Sequence, residues 1–591
     1  MIGSHPALIL VGVAILVGIT RGKLQQYLLV GGTFLSLVSV VRLVPGVNWT
    51  YDFSSYRLEL LNVDSLSQLF GLIFCLITLI GSVYALHTHR RGEHAATLVY
   101  AAGALGVVFA GDWITVFVFW ELMGMASVFV VWYGGTKWAG AAGFRYLLVH
   151  IFGGSLLFAG IVMYLTGGGS LHLDALRTTP GVDSPLAYGL ILSGIAINAA
   201  IPPLHSWLTD AYPEASVTGT VFLSAFTTKT AVYMLLRVFP GTEILVWVGV
   251  IMAVYGVVFA VLENDIRRLL AYHIISQVGY MVAGVGIGTP LALSGVAAHA
   301  FCHILYKALL LMGAGAVIQA TGKQKLTELG GLAVSMPLVL AFYAVGAVSI
   351  SGFPLFNGFI SKSMIISAAA ESGRPGVEIL LILASIGTFL HTGLKLPYFT
   401  FFGPNRCFKP VPTKRNMLFA MGVTAALCFC LGSFPGWLYS RLALQPVTYS
   451  PYTLDHVVSS LQLLVGTGVG FWFLLRKLGG EPTVSLDTDW VYRKPLRRVF
   501  DRAAVGSQLI GYSLQTFGLC VIEWIGLSFQ GALLGLSRLI TVAKRQDEPV
   551  VQTRNSLDLE SPLDAGRFYR QPVGLTIFWV VAFLVALTMM I

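Results

Sequence analysis

The chain has 591 residues, of which 56% are hydrophobic and 11% are charged, and its formal net charge is +10. A soluble globular domain carries about 25% charged residues, so this composition excludes a soluble protein and indicates an integral membrane protein. Apolar runs recur along the whole chain, each long enough to cross a bilayer as a helix. We predict an all-α polytopic membrane protein with about 14–16 transmembrane helices.

The positive charge does not indicate nucleic-acid binding, because the basic residues lie in short loops such as 87–91 and 406–415. Such loops are typical of the cytoplasmic side, and we expect a multi-pass protein of the cell's inner (plasma) membrane. The six cysteines form no CxxC pair and no metal-spaced set. We therefore expect no disulfide framework, no metal site and no cofactor.

The first part of the chain is predicted to contain four spans and one hairpin. The spans lie at 6–20, 26–45, 66–86 and 95–110, and the first of them lacks the basic flank of a removed signal peptide. Residues 49–64 alternate between polar and apolar side chains, a pattern that suits a small hairpin outside the lipid.

The next span carries Glu121 between long apolar stretches. An unpaired carboxylate at this depth is costly and tends to stay protonated. We expect Glu121 to have a cationic partner or to carry protons. The alternative is a structural ion pair or a helix-capping acid.

An apolar run is broken at Pro202 and Pro203, which remove backbone donors and end a helix. Broken backbone survives at membrane depth only inside protein or along a cavity, and it marks ion sites in transporters. His205 follows this break and is an accessory candidate.

Lys229 is predicted in the middle of the following helix, within Thr-Lys-Thr-Ala-Val-Tyr. A lysine removed from water exchanges its proton more readily, which suits a proton carrier. The alternative is a side chain that reaches a polar helix end, for which the nearest candidate is Arg237.

The central feature is a polar stripe of His299, His303 and Lys307 in an otherwise apolar run. A spacing of four residues keeps all three on one helix face, along about 12 Å of the axis. Titratable groups in so apolar a helix indicate a site that faces a wet interior. The alternative is a pair of core histidines bonded to backbone, with a lysine near the helix end. His273, on the preceding span, is a second accessory candidate.

A second broken helix is predicted at 351–362, where Pro354 and Gly358 precede Lys362. Two breaks about 150 residues apart favour two structurally repeated halves. Lys395 is a third accessory candidate. Because it lies close to Pro397, we expect its side chain to reach the polar boundary at the end of its helix.

The C-terminal part is predicted to contain spans at 416–435, 457–475 and 573–591. Residues 537–571 are polar, and residues 508–536 form an apolar segment that either crosses the membrane or lies along it.

Several motifs resemble the antiporter-like subunits shared by respiratory complex I, Mrp-type cation/proton antiporters and membrane-bound hydrogenases, with the D-type Mrp subunit nearest. They cover roughly residues 65–405, and as a set they are specific to that family. The matching stretches are Phe119-Trp-Glu-Leu-Met, Pro203-Leu-His-Ser-Trp-Leu-Thr-Asp-Ala, Thr228-Lys-Thr-Ala-Val-Tyr, Asn264-Asp-Ile-Arg-Arg-Leu-Leu-Ala-Tyr, His303-Ile-Leu-Tyr-Lys-Ala-Leu-Leu and Gly358-Phe-Ile-Ser-Lys.

The resemblance implies two inverted five-helix repeats, each with a broken helix, and a row of titratable residues at mid-membrane. The expected domains are N-terminal spans and hairpin at 1–94, a first repeat at 95–262, a second at 263–405 and a C-terminal part at 406–591. By match, the row contains the acid of the first half-channel, a bridging lysine, the central lysine with two histidines, and a lysine on the second broken helix. These are Glu121, Lys229, Lys307, His299, His303 and Lys362.

One departure from the family matters for function. The family carries a lysine six residues before the Leu of the Pro-Leu-His motif, and here that position is Asn198. An amide cannot titrate. Either Glu121 pairs with another cation, with Lys229 as the candidate, or the first half-channel works differently or does not conduct. A smaller departure is Arg267, where lysine is usual in the family.

The sequence therefore leaves two functional hypotheses open. The first is a proton-translocating subunit of a multisubunit complex, with cation/proton antiport, including Na⁺, left open. Its partners would be other membrane subunits, protons and the lipid bilayer. The second is a non-conducting or half-conducting scaffold that docks redox or carbon-uptake partners. A redox enzyme in its own right is disfavoured, because the sequence has no cofactor fingerprint and no cysteine cluster.

Overall fold

The computed structural model of the chain describes residues 4–54, 56–173, 184–406, 410–442 and 449–479, together with 487–488 and scattered positions from 490 to 534. The chain divides into two compact units, Met1–Pro495 and Leu496–Ile591.

In the second unit the described residues, scattered between 498 and 534, are helical. The predicted span at 573–591 and the polar segment at 537–571 lie outside the described residues. The two alternatives for residues 508–536, crossing the membrane or lying along it, both stay open. The proposed domain boundaries stay predictions.

The first unit begins with two helices and a hairpin. Helices α1 (Pro6–Ile19) and α2 (Gly22–Val41) precede strands β1 (Gly46–Phe53) and β2 (Tyr56–Val63), which pair antiparallel. The hairpin predicted at 49–64 is confirmed. Its second strand is joined to the helices, because the Glu59 N–H donates a 2.7 Å hydrogen bond to the carboxylate of Asp112.

The rest of the unit is helical. The α-helices are α3 (Ser65–Ala85), α4 (Arg91–Phe109), α5 (Trp113–Trp132), α6 (Lys137–Thr166), α7 (Pro185–Asn198), α8 (Ser206–Ala211), α9 (Gly219–Ala225), α10 (Thr227–Val238), α11 (Glu243–Leu262), α12 (Ile266–Ile287), α13 (Pro290–Thr321), α14 (Pro337–Ser351), α15 (Asn357–Glu371), α16 (Pro375–Thr388), α17 (Arg415–Ser433), α18 (Gly436–Tyr439) and α19 (Leu454–Leu478).

Twelve helical segments within the described ranges are long and apolar enough to cross a membrane, and three shorter apolar helices accompany them. The prediction of an all-α polytopic membrane protein is confirmed. Almost every residue of α12 and α13 is buried, so these two helices form the centre of the bundle. Other helices, such as α2 and α6, leave long apolar stretches exposed, as lipid contact requires.

The first helix break falls where the prolines predict it. Helix α7 ends at Asn198, and α8 begins only at Ser206. The Trp207 indole of α8 donates a 2.9 Å hydrogen bond to the Ile197 carbonyl near the end of α7. The same carbonyl also accepts the Ala200 N–H at 3.0 Å, so the end of α7 stays hydrogen-bonded in an apolar interior.

The second break lies between α14 and α15. Gly352 ends α14 in the left-handed conformation, with φ of +76°. At the start of α15, a Cβ on Gly358 would stand 1.8 Å from the Ser349 carbonyl oxygen. The two half-helices therefore meet backbone to backbone at a position that only glycine fits.

The loops of the first unit fall on two opposite faces. On the first face, the Arg406 guanidinium donates a hydrogen bond to the Thr327 carbonyl. The backbones of Asp265 and Lys325 form an isolated antiparallel β-bridge on the same face. On the other, Arg374 forms an ion pair with Glu243 at 2.6 Å. We call the first of these the basic face, because it carries the loops at 87–91, 322–325 and 406–415.

Replacing Gly358 by alanine should destabilise the chain, because the new methyl group meets the fixed Ser349 carbonyl. Overpacking of this kind costs about 1–3 kcal/mol. Gly376 on α16 has open space around its Cβ position, so Gly376→Ala is the matched control. Thermal unfolding in detergent should show a lower midpoint for Gly358→Ala alone. Equal midpoints would contradict the backbone contact.

Candidate functional site

The polar stripe lies on α13, where His299, His303 and Lys307 are each 0% exposed. The rings of His299 and His303 are 6.1 Å apart between centroids. Neither ring nitrogen of His303 has a hydrogen-bond partner among the described residues, and neither does Lys307 Nζ. The alternative of histidines bonded to backbone therefore does not describe His303.

Helix α15 brings the predicted Lys362 beside this stripe. His299 Nδ1 lies 3.1 Å from the Ser361 hydroxyl, one residue before that lysine. The Lys362 ammonium sits 5.4 Å from the centre of the Tyr280 ring, and that ring is 6.0 Å from His299. Lys362, which follows the second break, thus lies next to α13, although it is more than 50 residues away from the α13 stripe in sequence.

Three buried lysines donate hydrogen bonds to backbone carbonyls at the C-terminal ends of helices. Lys229 Nζ donates to the Ser224 carbonyl at 2.8 Å, and Lys362 Nζ donates to the Ile350 carbonyl at 2.8 Å. Lys395 Nζ donates to the Val261 carbonyl at 2.6 Å. The negative end of a helix dipole favours a cation, so these helix ends help to hold the charge of each lysine.

One of these lysines differs from the sequence prediction. Lys229 lies in the first turn of α10, after an interruption at Phe226, and this turn is at the middle of the span Gly219–Val238, as predicted. Lys395 does not reach the polar boundary: its side chain is buried, with 2% exposed, and the expectation of a surface-reaching lysine is wrong. The freed carbonyls at the ends of α9 and α11 supply hydrogen-bond acceptors inside the bundle.

A second polar branch joins the stripe to Lys395. His273 Nε2 on α12 lies 3.1 Å from His391 Nδ1. One turn further along α12, Gln277 accepts a 3.4 Å hydrogen bond from Tyr306, the residue before the central lysine.

His391 and Lys395 both lie in the π-helical stretch Phe389–Lys395. Short π segments inside α-helices are frequent at functional sites. The sequence predicted an ordinary span here, and nothing in its pattern distinguishes the wider turn.

A cavity of about 520 Å³ leads from the surface to Lys362. Its lining is rich in serine and includes the carboxylates of Glu371, Glu378 and Asp455. Lys362 is 3% exposed, whereas Glu371 and Asp455 are exposed. At one end its lining includes Ala370 and Glu371, close in sequence to the Arg374 loop that lies opposite the basic face.

In the first half, α5 and α7 bring Glu121 and Asn198 to the lining of one small cavity. The amide therefore occupies the place that faces the acid. Lys229 makes no ion pair with Glu121; its ammonium bonds to Ser224 and to the Thr228 hydroxyl at 3.1 Å. The suggestion that Lys229 replaces the absent lysine as a direct partner has no contact to support it.

His205 has a partner that the sequence analysis missed. Its Nε2 lies 3.2 Å from the carboxylate of Asp487, 282 residues later. That carboxylate also accepts hydrogen bonds from Tyr255 and, at 2.5 Å, from Tyr272. Burial raises the pKa of Asp487, but the hydrogen bonds from His205 and the two tyrosines outweigh burial and hold the pKa below its ordinary value.

The bundle with two broken helices and a buried row of lysines and histidines defines a class, the antiporter-like membrane subunits. The family model described as NADH:quinone oxidoreductase/Mrp antiporter, TM, matches residues 110–390. The chain belongs to this family.

Individual relatives agree with that assignment. NADH-quinone oxidoreductase subunit N of Desulforudis audaxviator is 30% identical over 59% of this chain and 75% of its own length. The D-type subunit of the Na(+)/H(+) antiporter of Alkalihalophilus pseudofirmus is 32% identical over 52% of this chain and 64% of its own length. A chain of the Mrp complex from Dietzia sp. DQ12-45-1b shares the fold, with a TM-score of 0.62, 24% identity, and coverage of 78% of this chain and 95% of that chain.

Neutralising Asp487 should release the segment after α19 from His205. The Ser206 and Thr488 hydroxyls lie 3.1 Å apart, so cysteines at both positions should form a disulfide in a background free of other exposed cysteines. Asp487→Asn removes charge-assisted bonds and should lower the cross-linking yield by more than half. Asp52→Asn, at an exposed hairpin carboxylate, is the control. An undiminished yield in Asp487→Asn would contradict this docking.

Proposed function

We propose that this chain is a proton-translocating membrane subunit of a multisubunit complex in the cell's inner (plasma) membrane. The observation that carries the proposal is the buried row that runs from Lys395 through the His391–His273 pair to the α13 stripe and Lys362. The family relationship supports it, since named relatives are antiporter and quinone-oxidoreductase subunits. Other membrane subunits would be its partners, and any electron chemistry would lie in them.

The direction of proton movement is inferred from the two ends of the path. Basic loops remain on the cytoplasmic side of membrane proteins, so the basic face is assigned to the cytoplasm. Lys395 lies at that end, beside the carbonyls of Val261 and Glu263. The 520 Å³ cavity beside Lys362 extends toward the other end, since its lining includes Glu371. Protons would enter near Lys395 and leave past the exposed acids of the cavity.

Charge coupling would move protons along the row. Each cation in an apolar interior raises the cost of charging its neighbours, so the protonation states of the row depend on one another. A proton gained at one end therefore displaces a proton toward the other. Lys307 stands at the middle, and its ammonium has no partner among the described residues, which makes it the group whose charge is least fixed by the fold.

A second candidate is a half-conducting scaffold in which only the second half moves protons. Asn198 is the observation that favours it, since the amide faces Glu121 where the family carries a lysine. Counter-transport of Na⁺ is a finer variant of the proposed function, and it rests only on the printed name of the antiporter relative. Proton and sodium flux measured in vesicles separates these candidates.

Replacing Lys307 by alanine should abolish transport while the complex still assembles. Loss of a positioned proton carrier should lower proton flux roughly 100-fold or more. Lys323→Ala, at a half-exposed lysine on the basic face, is the matched control. The measurement is proton flux in proteoliposomes that contain the purified complex. Normal flux in the Lys307 variant would overturn the proposal.

Blocking the cavity should stop flux from one side only. Ser459 lines the cavity and is exposed, so a cysteine there should react with a bulky membrane-impermeant thiol reagent. Ser440→Cys, at an exposed serine outside the cavity lining, is the control. Reagent added on the face opposite the basic loops should inhibit Ser459→Cys alone. Inhibition of neither variant would argue against the cavity as the exit.

A further inference from the structure

The small cavity beside Glu121 contains a residue that the proposed path has not used. Helices α5, α6 and α7 border a partly open cavity of about 10 Å³, lined by Glu121, His150 and Asn198 among others. His150 is 5% exposed and Asn198 is 1% exposed. Within the described structure, His150 Nε2 and Asn198 Oδ1 have no hydrogen-bond partner. A cavity of this size holds about one water.

The hydrogen bond at its other nitrogen fixes the tautomer of His150. His150 Nδ1 lies 2.9 Å from the Tyr146 carbonyl oxygen. A carbonyl only accepts, so Nδ1 carries the hydrogen, and Nε2 presents a lone pair in the neutral ring. The ring is also held in place, since it stacks on Tyr146 at 3.9 Å and meets the edge of Trp207 at 4.6 Å.

The Glu121 carboxylate lies over the same face of α6. A Cβ on Gly154 would stand 1.9 Å from Glu121 Oε1, so glycine at this position makes room for the acid. Gly154 follows His150 by four residues, and residues four apart share a helix face about 6 Å along the axis. The acid and the imidazole are therefore neighbours across α5 and α6, with Asn198 completing the cavity.

Hydroxyl groups continue from His150 toward Lys229. The Tyr146 hydroxyl, on the ring that stacks against His150, is 3.4 Å from the Thr227 hydroxyl. Thr227 begins α10, and its neighbour Thr228 accepts a hydrogen bond from Lys229 at 3.1 Å. Polar side chains thus lie between the first-half cavity and Lys229.

We propose that His150 is the proton acceptor for Glu121, in place of the cation missing at Asn198. One water in the cavity accepts the proton from the Glu121 carboxyl and passes another to His150 Nε2, while Asn198 Oδ1 accepts its remaining hydrogen. The products are a carboxylate and an imidazolium, so the net charge of the cavity does not change. This inference rests on the proposed function, and it makes the first half a working proton branch.

The test compares His150→Gln with the double variant His150→Gln/Asn198→Lys in the reconstituted complex. Glutamine can donate to the Tyr146 carbonyl but cannot titrate. Proton flux should fall at least ~10-fold in His150→Gln and recover in the double variant, because lysine restores a titratable partner. A purely structural histidine would give no recovery on adding the lysine.

Gly154→Ala provides a second test that leaves the histidine intact. Its methyl group displaces the Glu121 carboxylate and should lower flux as His150→Gln does, even where the latter folds poorly. Gly140→Ala, on the same helix with open space at its Cβ position, is the control.

Normal flux in both His150→Gln and Gly154→Ala overturns this inference. If Lys307→Ala is inactive in the same assay, the proposed function survives that result. Normal flux in Lys307→Ala would instead reject the proposed function itself.

Discussion

The cost of burying a cation in a lipid-embedded bundle is the constraint on which the rest of the structure depends. Lys229, Lys307 and Lys362 are all buried, and none forms an ion pair with a described residue. An isolated ammonium in an apolar medium is strongly disfavoured. The fold must therefore supply dipoles or water where a soluble protein would supply an acid.

Helix interruptions supply those dipoles. The breaks at Phe226 and after Ser351, and the end of α11, expose carbonyl groups inside the bundle, and a lysine bonds to each of them. A helix C-terminus carries about half a negative charge. It can stabilise an ammonium without fixing its proton as firmly as a carboxylate would, which suits a group that must release the proton again.

Lys307, at the centre of the row, is the exception among these buried lysines. It lies within the unbroken 32-residue helix α13, so no helix end is available to it. His303, one turn before, likewise has ring nitrogens without a partner among the described residues. Both groups are fully buried, and water is the remaining source of hydrogen bonds at this depth.

The sequence predicted the parts of the site whose signals are local. Charged residues spaced by four in an apolar run identified the α13 stripe, and proline and glycine located both helix breaks. Contacts between distant segments could not be predicted, since nothing near Asp487 points to His205 and nothing near His273 points to His391. The interruption at Phe226 was missed because that stretch contains neither proline nor glycine. His150 was not singled out from the sequence, because only the packing of α5 and α7 places Glu121 and Asn198 beside it.

The most direct test is a density map of the complex in lipid nanodiscs, at a resolution that shows ordered water around the α13 stripe. We expect water bound to Lys307 Nζ and to the ring nitrogens of His303, continuous with Gln277 on one side and Lys362 on the other. A dry, fully packed environment around Lys307, with no water within hydrogen-bond distance of its ammonium, would rule out a hydrated proton path through the row.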